Sequence, residues 1–457
     1  MGSVSTTPAR GMRDFLPADV RRRQYVIGVV AEVFQGYGFE PLETPAVENI
    51  ETLSGKYGEE GDRLIFKILK RGEDGRTGDA DLALRYDLTV PLARVVAHHR
   101  AALPKYFKRF QVQPVWRADR PQKGRFREFF QCDVDATGST AMTVEAELLA
   151  AGADVLTRLG FTDFAIRLNH RQLLTAVLEA AGVPAALHGP ALVALDKADK
   201  IGQDAVVDEM AGRGVVPEAA RALVTTLFAT PTAGGDANAA TLARIEAFAG
   251  AAPAAAQALG QLREILALSR CTSAGPHLRV DPTLARGLGY YTGAIFEIAV
   301  ADLAGSLGGG GRYDDLVGMF LGRQVPACGL SLGLERILVV MGERGMFPAA
   351  VERPPADVLV ANFDAAAVAE TLALAAALRA GADGTALAVE LYPDVDKLGK
   401  QFKYASERGV PFVAVMGEAE RAAGTVTIKA LASGAQVAVP RNAAAAHIVS
   451  VMRTSRG

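Results

Sequence analysis

Two segments between residues 105 and 138 constrain the fold most, because their side chains alternate with a period of two residues. Such a period places successive side chains on opposite faces of a β-strand. The stretch 118–124 between them contains the Pro and Gly of a long hairpin loop, so an antiparallel pair is predicted. Its polar face carries Arg109, Gln111, Gln113 and Arg117 from the first strand, and Gln131, Asp133 and Asp135 from the second.

This polar face has two possible explanations. A sheet with one face in solvent produces the same alternation, and the pattern alone does not decide between solvent and a site. Solvent faces, however, favour Lys, Glu and Thr over a grouping of Arg, Gln and Asp. A planar guanidinium suits an acyl or phosphoryl oxygen, and a carboxylate suits an ammonium group. We therefore treat the face as a candidate site.

Two further segments add to this candidate site. The run 82–94 carries Arg85, Asp87 and Thr89 at strand spacing, which predicts one more polar strand face. The glycine run 308–311 is typical of a loop whose backbone can bend and approach a ligand closely. No Lys-Ser/Thr follows this run, so it is a poor match to a phosphate-binding loop.

Arg336 occupies a position that is unfavourable unless an anion lies nearby. The sequence CGLSLGLERILVVM passes from a small-residue strand into an amphipathic helix, and Arg336 lies off the apolar stripe in the first turn. A cation at that point opposes the helix dipole. The placement indicates that a polyanion, such as a nucleotide phosphate, pairs with Arg336.

The N-terminal part predicts a helix followed by an edge strand. Valines recur at i, i+3, i+4 and i+7 after Asp19, and the strand-like run 38–48 is interrupted by Pro41 and Pro45. Prolines confine a strand to the edge or end of a sheet. An edge of this kind is also able to pair across the two-fold axis of a dimer.

The middle of the chain differs in composition from the segments before it. From residue 169 to about 267 it is rich in Ala and Leu with regular turn signals, which predicts a helical domain inserted into the catalytic sheet. Asn169, His170 and Arg171 stand at the entrance to this region. A helix start explains these three residues better than catalysis does.

Beyond the prolines of 351–357, strands alternate with helices, which predicts a small α/β domain with an at least partly parallel sheet. Its second helix carries Lys397, Lys400, Lys403 and Tyr404. Such a run is usually a solvated face. A basic helix with an aromatic residue also suits single-stranded RNA, in which phosphates contact lysines and bases stack on the ring.

Composition excludes several classes of protein. The formal net charge is −2, so any contact with nucleic acid must come from local patches. Three distant cysteines exclude a disulfide framework and a thiolate zinc cluster. Of the six histidines only His98 and His99 are close in sequence, so a His-based metal site is not expected. With neither a signal-peptide pattern nor a long apolar run, the protein is expected to be cytoplasmic and without a membrane partner.

Several stretches together resemble class II histidyl-tRNA synthetases. WRADRPQKGRFREFFQCDVDATG is similar to class II motif 2, ARGLGYYTGAIFEI and GGGGRYDDLVG to the two histidine-specific stretches, and CGLSLGLERIL to motif 3. TPAVE around Pro45 resembles motif 1, which builds the dimer interface in this class. LGKQFKYA and the α/β tail resemble the anticodon-binding domain. Two departures are Asp87, where other members have glutamate, and Gly289, where many have aspartate.

The resemblance implies an α+β architecture in four parts. The class II catalytic domain, with its antiparallel sheet, would comprise residues 1–168 (motifs 1 and 2) and 271–350 (the histidine-specific stretches and motif 3). A helical insertion would occupy residues 169–270. Residues 351–457 would form a small α/β anticodon-binding domain.

It also implies a reaction, in which ATP activates L-histidine to histidyl-adenylate and the histidyl group passes to the 3′ end of tRNA(His). The partners would be tRNA(His), a second copy of the chain, and ATP with Mg²⁺, without a prosthetic group. Arg286 and Arg117 would be catalytic on opposite sides of the α-phosphate. Histidine would contact Asp87, Leu88, Thr89, Arg117, Gln131, Asp135, Arg286, Tyr290 and Tyr291; ATP would contact Arg117, Arg125 and Arg336; tRNA would contact Lys397, Lys400, Lys403 and Tyr404.

Two alternatives remain open at this point. The first is a non-catalytic, synthetase-like regulatory subunit of histidine biosynthesis. Such proteins typically lack the C-terminal α/β domain and commonly lose the nucleotide-facing arginines, and this sequence has both. The second is a synthetase for another amino acid, which would leave RGLGYYTG and GGGGRYDDLV unexplained.

Overall fold

The structure, a computed structural model, describes residues 5–72, 78–195, 197–230, 236–250, 252–285, 289–303 and 305–454. The chain divides into two compact units, Met1–Phe347 and Pro348–Gly457. Each unit has buried apolar clusters of its own. Among the described residues, no helix combines the length and the apolar character that crossing a bilayer requires.

The first unit begins with the predicted helix. It starts at Pro17, where a proline costs no hydrogen bond, and it buries Val26, Val30 and Val33. The elements up to the middle of the chain are α1 (Pro17–Gly36), β1 (Glu40–Pro41), β2 (Val47–Asn49), α2 (Ile50–Leu53), α3 (Gly58–Arg63), β3 (Lys67–Leu69), β4 (Ala80–Leu84), α4 (Thr89–His98), β5 (Phe107–Trp116), β6 (Glu128–Thr137), α5 (Thr143–Arg158) and β7 (Ala165–His170).

The predicted hairpin is confirmed, since β5 and β6 pair antiparallel over their whole length. Arg109 lies opposite Asp135, and Gln111 lies opposite Asp133. All four side chains are at most 2% exposed. The polar face at these positions is therefore inside the protein, and the solvent-face explanation is wrong for them.

The polar strand expected over 82–94 is wrong. Strand β4 ends at Leu84 and belongs to a separate three-stranded sheet, while Asp87 follows it and Thr89 is already the first residue of α4. Three polar residues at alternate positions also fit a turn that leads into a helix. Pro91 does not forbid that helix, because the first turn needs no backbone donor.

The inserted region is helical, as its composition predicts. His170 is the last residue of β7 and the N-cap of the next helix, where its Nδ1 accepts a hydrogen bond from the Gln172 backbone at 3.2 Å. The expectation of a helix start at this point is confirmed. The helices are α6 (Arg171–Ala180), α7 (His188–Leu195), α8 (Ala198–Ile201), α9 (Gln203–Gly212), α10 (Pro217–Phe228), α11 (Ala237–Ala249) and α12 (Pro253–Ser269).

The chain then returns to the sheet, and here the glycine run 308–311 forms a strand. The expectation of a loop is therefore wrong. Glycine is needed in this strand because the neighbouring strands approach too closely to leave room for side chains. A Cβ on Gly310 would lie 1.9 Å from the Gly329 carbonyl oxygen. The elements are β8 (Leu278–Val280), β9 (Ala294–Ala299), β10 (Gly308–Arg312), α13 (Gly318–Leu321), β11 (Ala327–Gly333) and α14 (Leu334–Glu343).

The large sheet of the first unit has eight strands in the order β1-β5-β6-β11-β10-β9-β7-β8. Its six central strands are antiparallel, and the short outer strands β1 and β8 pair parallel with their neighbours. Pro41 lies in β1 at the edge of the sheet, which is where a proline within a strand is expected. Strands β6, β11 and β10 are consequently adjacent in the middle of the sheet, and β6 carries Gln131, Asp133 and Asp135 of the candidate site.

The second unit is an α/β domain with a five-stranded sheet in the order β13-β12-β14-β15-β16. The first three strands are parallel and the last two are antiparallel, so the partly parallel sheet is confirmed. The elements are β12 (Val358–Val360), α15 (Val368–Arg379), β13 (Val389–Leu391), α16 (Leu398–Glu407), β14 (Phe412–Val415), α17 (Glu418–Ala423), β15 (Thr425–Ala430), β16 (Gln436–Pro440) and α18 (Ala444–Thr454).

Candidate active site

A cavity of about 250 Å³ lies over the middle strands of the eight-stranded sheet. Strands β6, β10 and β11 form its floor. The segment before α4, the β5–β6 loop and the first turn of α14 form its walls. Residues singled out in the sequence that line this cavity are Asp87, Thr89, Arg117, Arg125, Gln131, Asp133, Asp135, Tyr290, Tyr291, Arg336 and the glycines 308–310.

Two of the residues that the family resemblance assigns to the substrates are not among them. The Leu88 side chain is fully buried, and only its carbonyl contributes, by accepting a hydrogen bond from Arg109 Nη2 at 3.1 Å. Successive side chains of the turn point in different directions, so the Asp87 side chain reaches the cavity and the Leu88 side chain packs in the core. Arg286 lies outside the described residues, so its role remains a prediction.

Asp135 is held from two sides at one end of the polar face. The Tyr313 hydroxyl donates a hydrogen bond to its Oδ1, and Arg109 Nη2 lies 2.8 Å from its Oδ2 in an ion pair. Burial raises the pKa of Asp135, and the Arg109 charge opposes that rise. Gly329 makes this arrangement possible, because a Cβ there would lie 1.9 Å from Asp135 Oδ1.

Asp87 forms a second acidic position across the cavity. Its Oδ1 accepts hydrogen bonds from the Tyr57 hydroxyl at 3.0 Å and from the Val90 backbone at 3.1 Å, and the Tyr290 hydroxyl lies 3.4 Å from Oδ2. Burial raises the pKa of Asp87, while these donors and Arg117 lower it. The carboxylate is consequently fixed in direction before any ligand binds.

Arg117 and Arg125 lie on the loop side of the cavity. Arg117 Nε donates to the Tyr86 carbonyl at 3.0 Å, and its guanidinium lies over the rings of Tyr86 and Phe129 at 4.3 and 5.1 Å. Stacking and this hydrogen bond orient a planar cation toward the cavity. Arg125 is an exposed side chain whose Nε is 3.7 Å from an oxygen of Asp119, so its position is less constrained.

Arg336 reaches the cavity from the first turn of α14, as the sequence predicts. Its Nη1 donates to the Ser306 carbonyl. Gly305 has a φ of +102°, and a Cβ there would lie 3.0 Å from Nη1. Glycine at this turn thus leaves room for the guanidinium beside the glycine floor of β10.

The sequence analysis placed Asp133 and Arg109 on the polar face without giving either a specific role, and it missed Tyr313 and Glu335. Asp133 lies on the predicted polar face between Gln131 and Asp135 and lines the cavity, and its alternation was a sufficient signal. Tyr313 and Arg109 hold Asp135. Glu335 accepts hydrogen bonds from Arg23 at 2.8 Å and the Phe130 backbone at 2.9 Å, which ties α14 to α1 and β6. These partners are distant in sequence, so no local pattern could identify them.

The second unit presents the lysines proposed for RNA on and beside α16. Lys397 precedes this helix as its N-cap and is exposed. Lys400 is 68% exposed and lies 2.8 Å from Asp396 Oδ2, and Lys403 is 77% exposed. Their side chains are accessible, and Lys400 already has an acidic neighbour.

Tyr404 is half-buried on the same helix. Its hydroxyl donates to Glu390 Oε1, and its ring packs edge-on against Tyr392 at 5.4 Å and under Arg408 at 5.3 Å. One hydrogen bond and two ring contacts therefore fix the orientation of this side chain. Base stacking on Tyr404 remains a prediction.

Comparison with known proteins places these two units in a family. The family model described as histidyl-tRNA synthetase matches residues 11–337, and the one described as anticodon binding domain matches residues 357–450. A histidine–tRNA ligase of Christiangramia forsetii is 41% identical over 449 residues, covering 93% of this chain and 95% of that protein. This chain belongs to the histidyl-tRNA synthetase family.

Solved structures agree with this assignment. The crystal structure of histidyl-tRNA synthetase from Nostoc sp. PCC 7120 superposes with a TM-score of 0.79 at 28% identity, covering 98% of this chain and 100% of that one. A structure from Bacillus halodurans, described as an ATP phosphoribosyltransferase regulatory subunit/histidyl-tRNA synthetase, has a TM-score of 0.72 at 20% identity, covering 88% of this chain and 97% of that one. The latter likeness shows a shared fold.

Proposed function

We propose that this chain is a histidine–tRNA ligase, which uses ATP to activate L-histidine and transfers the histidyl group to the 3′ end of tRNA(His). One observation carries the proposal for the site: a single cavity combines buried carboxylates with Arg117, Arg125 and Arg336. Carboxylates suit the ammonium and imidazole of histidine, and guanidinium groups suit its carboxylate and the phosphates of ATP. Family membership supports the same substrates.

The first step joins histidine to AMP. An oxygen of the histidine carboxylate attacks the α-phosphorus in line, the bond from that phosphorus to the bridging oxygen of the β-phosphate breaks, and pyrophosphate leaves. Arg117 would bridge the carboxylate and the α-phosphate, and Arg336 would bind the γ-phosphate end. Arg125, in the loop, would lie near the nucleotide. No protein nucleophile is required, because orientation and charge neutralisation supply the catalysis.

Histidine would be recognised at the acidic end of the cavity. Asp87, Thr89, Gln131 and Asp135 would bind the ammonium and imidazole groups, with Tyr290 and Tyr291 closing the pocket. The prior fixation of Asp87 and Asp135 by tyrosine hydroxyls supports this role, because little reorganisation accompanies binding. Leu88 would contribute its backbone.

Arg286 is assigned to the α-phosphate on the side opposite Arg117, by family resemblance alone. A cation at that position stabilises the negative charge that grows on the α-phosphate during the displacement. Arg286→Ala should therefore lower kcat of histidine activation by about 10²–10³-fold and change the KM for histidine far less. An effect on KM alone would contradict the assignment.

Mg²⁺ is expected with ATP. Among the residues the structure describes, no cluster of three or more His, Cys, Asp or Glu could hold a metal by itself. A phosphate-bound Mg²⁺ needs only one or two carboxylates in addition to phosphate oxygens and water. Asp119, on the cavity wall beside Arg125, fits that modest requirement. Bound there, the ion would neutralise phosphate charge.

The second step transfers the histidyl group from the adenylate to the terminal adenosine of the tRNA, releasing AMP. Residues 351–457 would recognise the anticodon through Lys397, Lys400, Lys403 and Tyr404. Residues 1–168 and 271–350 would carry the chemistry, with 169–270 as the helical insertion. The match of residues 357–450 to an anticodon-binding domain supports this division.

We also propose a cytoplasmic homodimer that pairs through the region around Pro45. The edge position of β1 and the resemblance of this region to motif 1 support it. Sedimentation at micromolar concentration should give a dimer. A stable and fully active monomer under these conditions would contradict the proposal.

The alternative of a regulatory subunit has weaker support. The Bacillus halodurans likeness extends to the fold alone. This chain has Arg117, Arg125 and Arg336 in its cavity, and its C-terminal α/β unit matches an anticodon-binding domain. ATP–pyrophosphate exchange with radiolabelled pyrophosphate, run against a panel of amino acids, tests the two directly. The ligase should exchange with histidine alone, whereas a regulatory subunit would exchange with none.

A further inference from the structure

The centre of the polar face contains oxygens that lack hydrogen-bond donors. Gln131 Oε1, Asp133 Oδ1 and Asp135 Oδ2 are each sealed from solvent and accept no hydrogen bond, although Asp135 Oδ2 has its ion pair with Arg109. Arg109 Nε is the one unpartnered donor in this group of described side chains, and it could serve one of the three. A sealed acceptor without a donor is costly, so the polar face requires a further donor.

Before histidine binds, neither substrate nor solvent supplies this donor, since the three oxygens are sealed from water in the free protein. A carboxylic acid proton is the remaining source. A protonated aspartate has an O–H that donates, in place of one of its acceptors. Two adjacent carboxyls on one face of β6 are also the arrangement in which two like charges do not both ionise.

Charge balance leads to the same conclusion. Arg109 is fully buried and is the cation that acts on both Asp133 and Asp135. One guanidinium balances one carboxylate, and a second buried anion would be uncompensated. The other groups facing Asp133 do not supply a cation, since Ser331 on β11 is neutral and Asp87 on the opposite wall is acidic.

The contacts identify which member of the pair is neutral. Asp135 has both Arg109 and the Tyr313 hydroxyl to stabilise its charge, whereas Asp133 has Ser331. Burial, with a smaller contribution from Asp135, raises the pKa of Asp133 to about 7 although Arg109 lowers it. Asp133 is consequently the better site for the proton.

We infer that Asp133 is a positioning residue: as a neutral acid it leaves one negative charge on the Asp133–Asp135 pair and keeps Asp135 aligned for histidine. This inference rests on the proposed function, because it assigns the purpose of the pair to histidine binding. Since the O–H is a donor within the polar face, its loss would leave acceptors facing one another and would disorder the side chains of Gln131 and Asp135.

The first test compares two substitutions in the full-length protein by histidine-dependent ATP–pyrophosphate exchange. Asp133→Asn keeps a neutral donor and acceptor, so the KM for histidine should rise less than about threefold. Asp133→Ala removes the donor and should raise it about tenfold or more. Asp135→Asn is the matched control: it removes the charge assigned to Asp135 and should raise the KM by more than Asp133→Asn does.

Equal and large effects of Asp133→Asn and Asp133→Ala would overturn the inference, since they would identify Asp133 as a charged ligand of the substrate. Failure of the wild-type protein to exchange with histidine would instead contradict the proposed function. The KM for ATP should remain unchanged in both variants, which separates a local effect from general misfolding.

The second test detects the proton itself. At pH 6 the infrared spectrum of the wild-type protein in D₂O should contain the C=O stretch of a buried carboxylic acid. That band should be absent from Asp133→Asn and retained in Asp396→Asn, where a partly exposed aspartate of the second unit is changed. A wild-type spectrum identical to that of Asp133→Asn would assign the donor to a rotated Gln131 amide and overturn the inference.

Discussion

Strand β6 and helix α16 carry the ionisable side chains to which we assign histidine and tRNA, yet these groups lie in different surroundings. Asp133 and Asp135 on β6 are at most 2% exposed, whereas Lys400 and Lys403 on α16 are 68% and 77% exposed. A buried charge depends on specific partners, because water cannot replace them. An exposed charge is screened and exchanges partners at little cost. The comparison predicts large, pair-specific effects in the first region and small, salt-dependent effects in the second.

The largest effect is expected where a buried ion pair supports the site. Glu335→Ala leaves Arg23 buried without its partner and frees the Phe130 backbone donor, so the free energy of unfolding should fall by about 3–5 kcal/mol. Urea denaturation measures this change. Glu407→Ala, which removes an exposed partner of Lys403 on α16, is the matched control and should change stability little. A comparable loss of stability in both variants would contradict the predicted difference between buried and exposed charges.

A buried histidine should make stability depend on pH. His170 is 1% exposed, and burial lowers its pKa from 6.5 to about 4. Because the folded protein disfavours the charged form, this contribution is fully present above pH 6.5 and is lost as the pH falls toward 4. The loss amounts to about 3 kcal/mol.

Urea denaturation at pH 7.5 and 4.5 tests the role of His170 against His170→Asn, which keeps an N-cap acceptor but does not titrate. The wild-type protein should lose more stability than the variant between these two values. Parallel losses would show that other groups carry the pH dependence and that burial does not dominate at this position.

Asp135→Ala should raise the KM for histidine by about 10–100-fold, because a hydrogen bond to a charged group contributes about 1.5–3 kcal/mol. The KM for ATP should change little. Arg336→Ala is the reciprocal variant, for which the KM for ATP should rise and that for histidine should not. Pyrophosphate exchange measures both constants. An equal effect of Asp135→Ala on both substrates would mean that the cavity is not divided as we propose.

The smallest effects are expected on α16. Reversing Lys397 and Lys400 to Glu should weaken tRNA binding modestly and reduce its salt dependence, by about one unit of slope for each phosphate that the lysines no longer bind. Filter binding at several salt concentrations measures both quantities, while histidine activation should be retained. Unchanged affinity and slope would return these lysines to the role of a solvated face.

Deletion of residues from about 355 onward separates the role of the first unit in histidine activation from that of the second unit in tRNA binding. Adenylate formation should be largely retained, because every described residue of the cavity lies in the first unit. Charging of tRNA should fall. If both activities fell together, the second unit would be needed for the chemistry or for the stability of the first.

The sequence by itself determined which residues share a face. Alternation predicted the β5–β6 hairpin with its polar side, and the first turn of α14 with Arg336, because periods of 2 and 3.6 residues are set by backbone geometry. The family stretches also identified residues such as Asp87, Gln131 and Arg336, which the fold then brings to one cavity.

Only the tertiary structure decided what covers those faces. The burial of Arg109 and Asp135, the support of Glu335 by Arg23 and the conversion of the glycine run into strand β10 all depend on segments far apart in the chain. Local spacing does not report such contacts. The burial of a charge, and hence its pKa and its need for a partner, follows from what packs against it, so the assignment of a proton to Asp133 required the folded sheet.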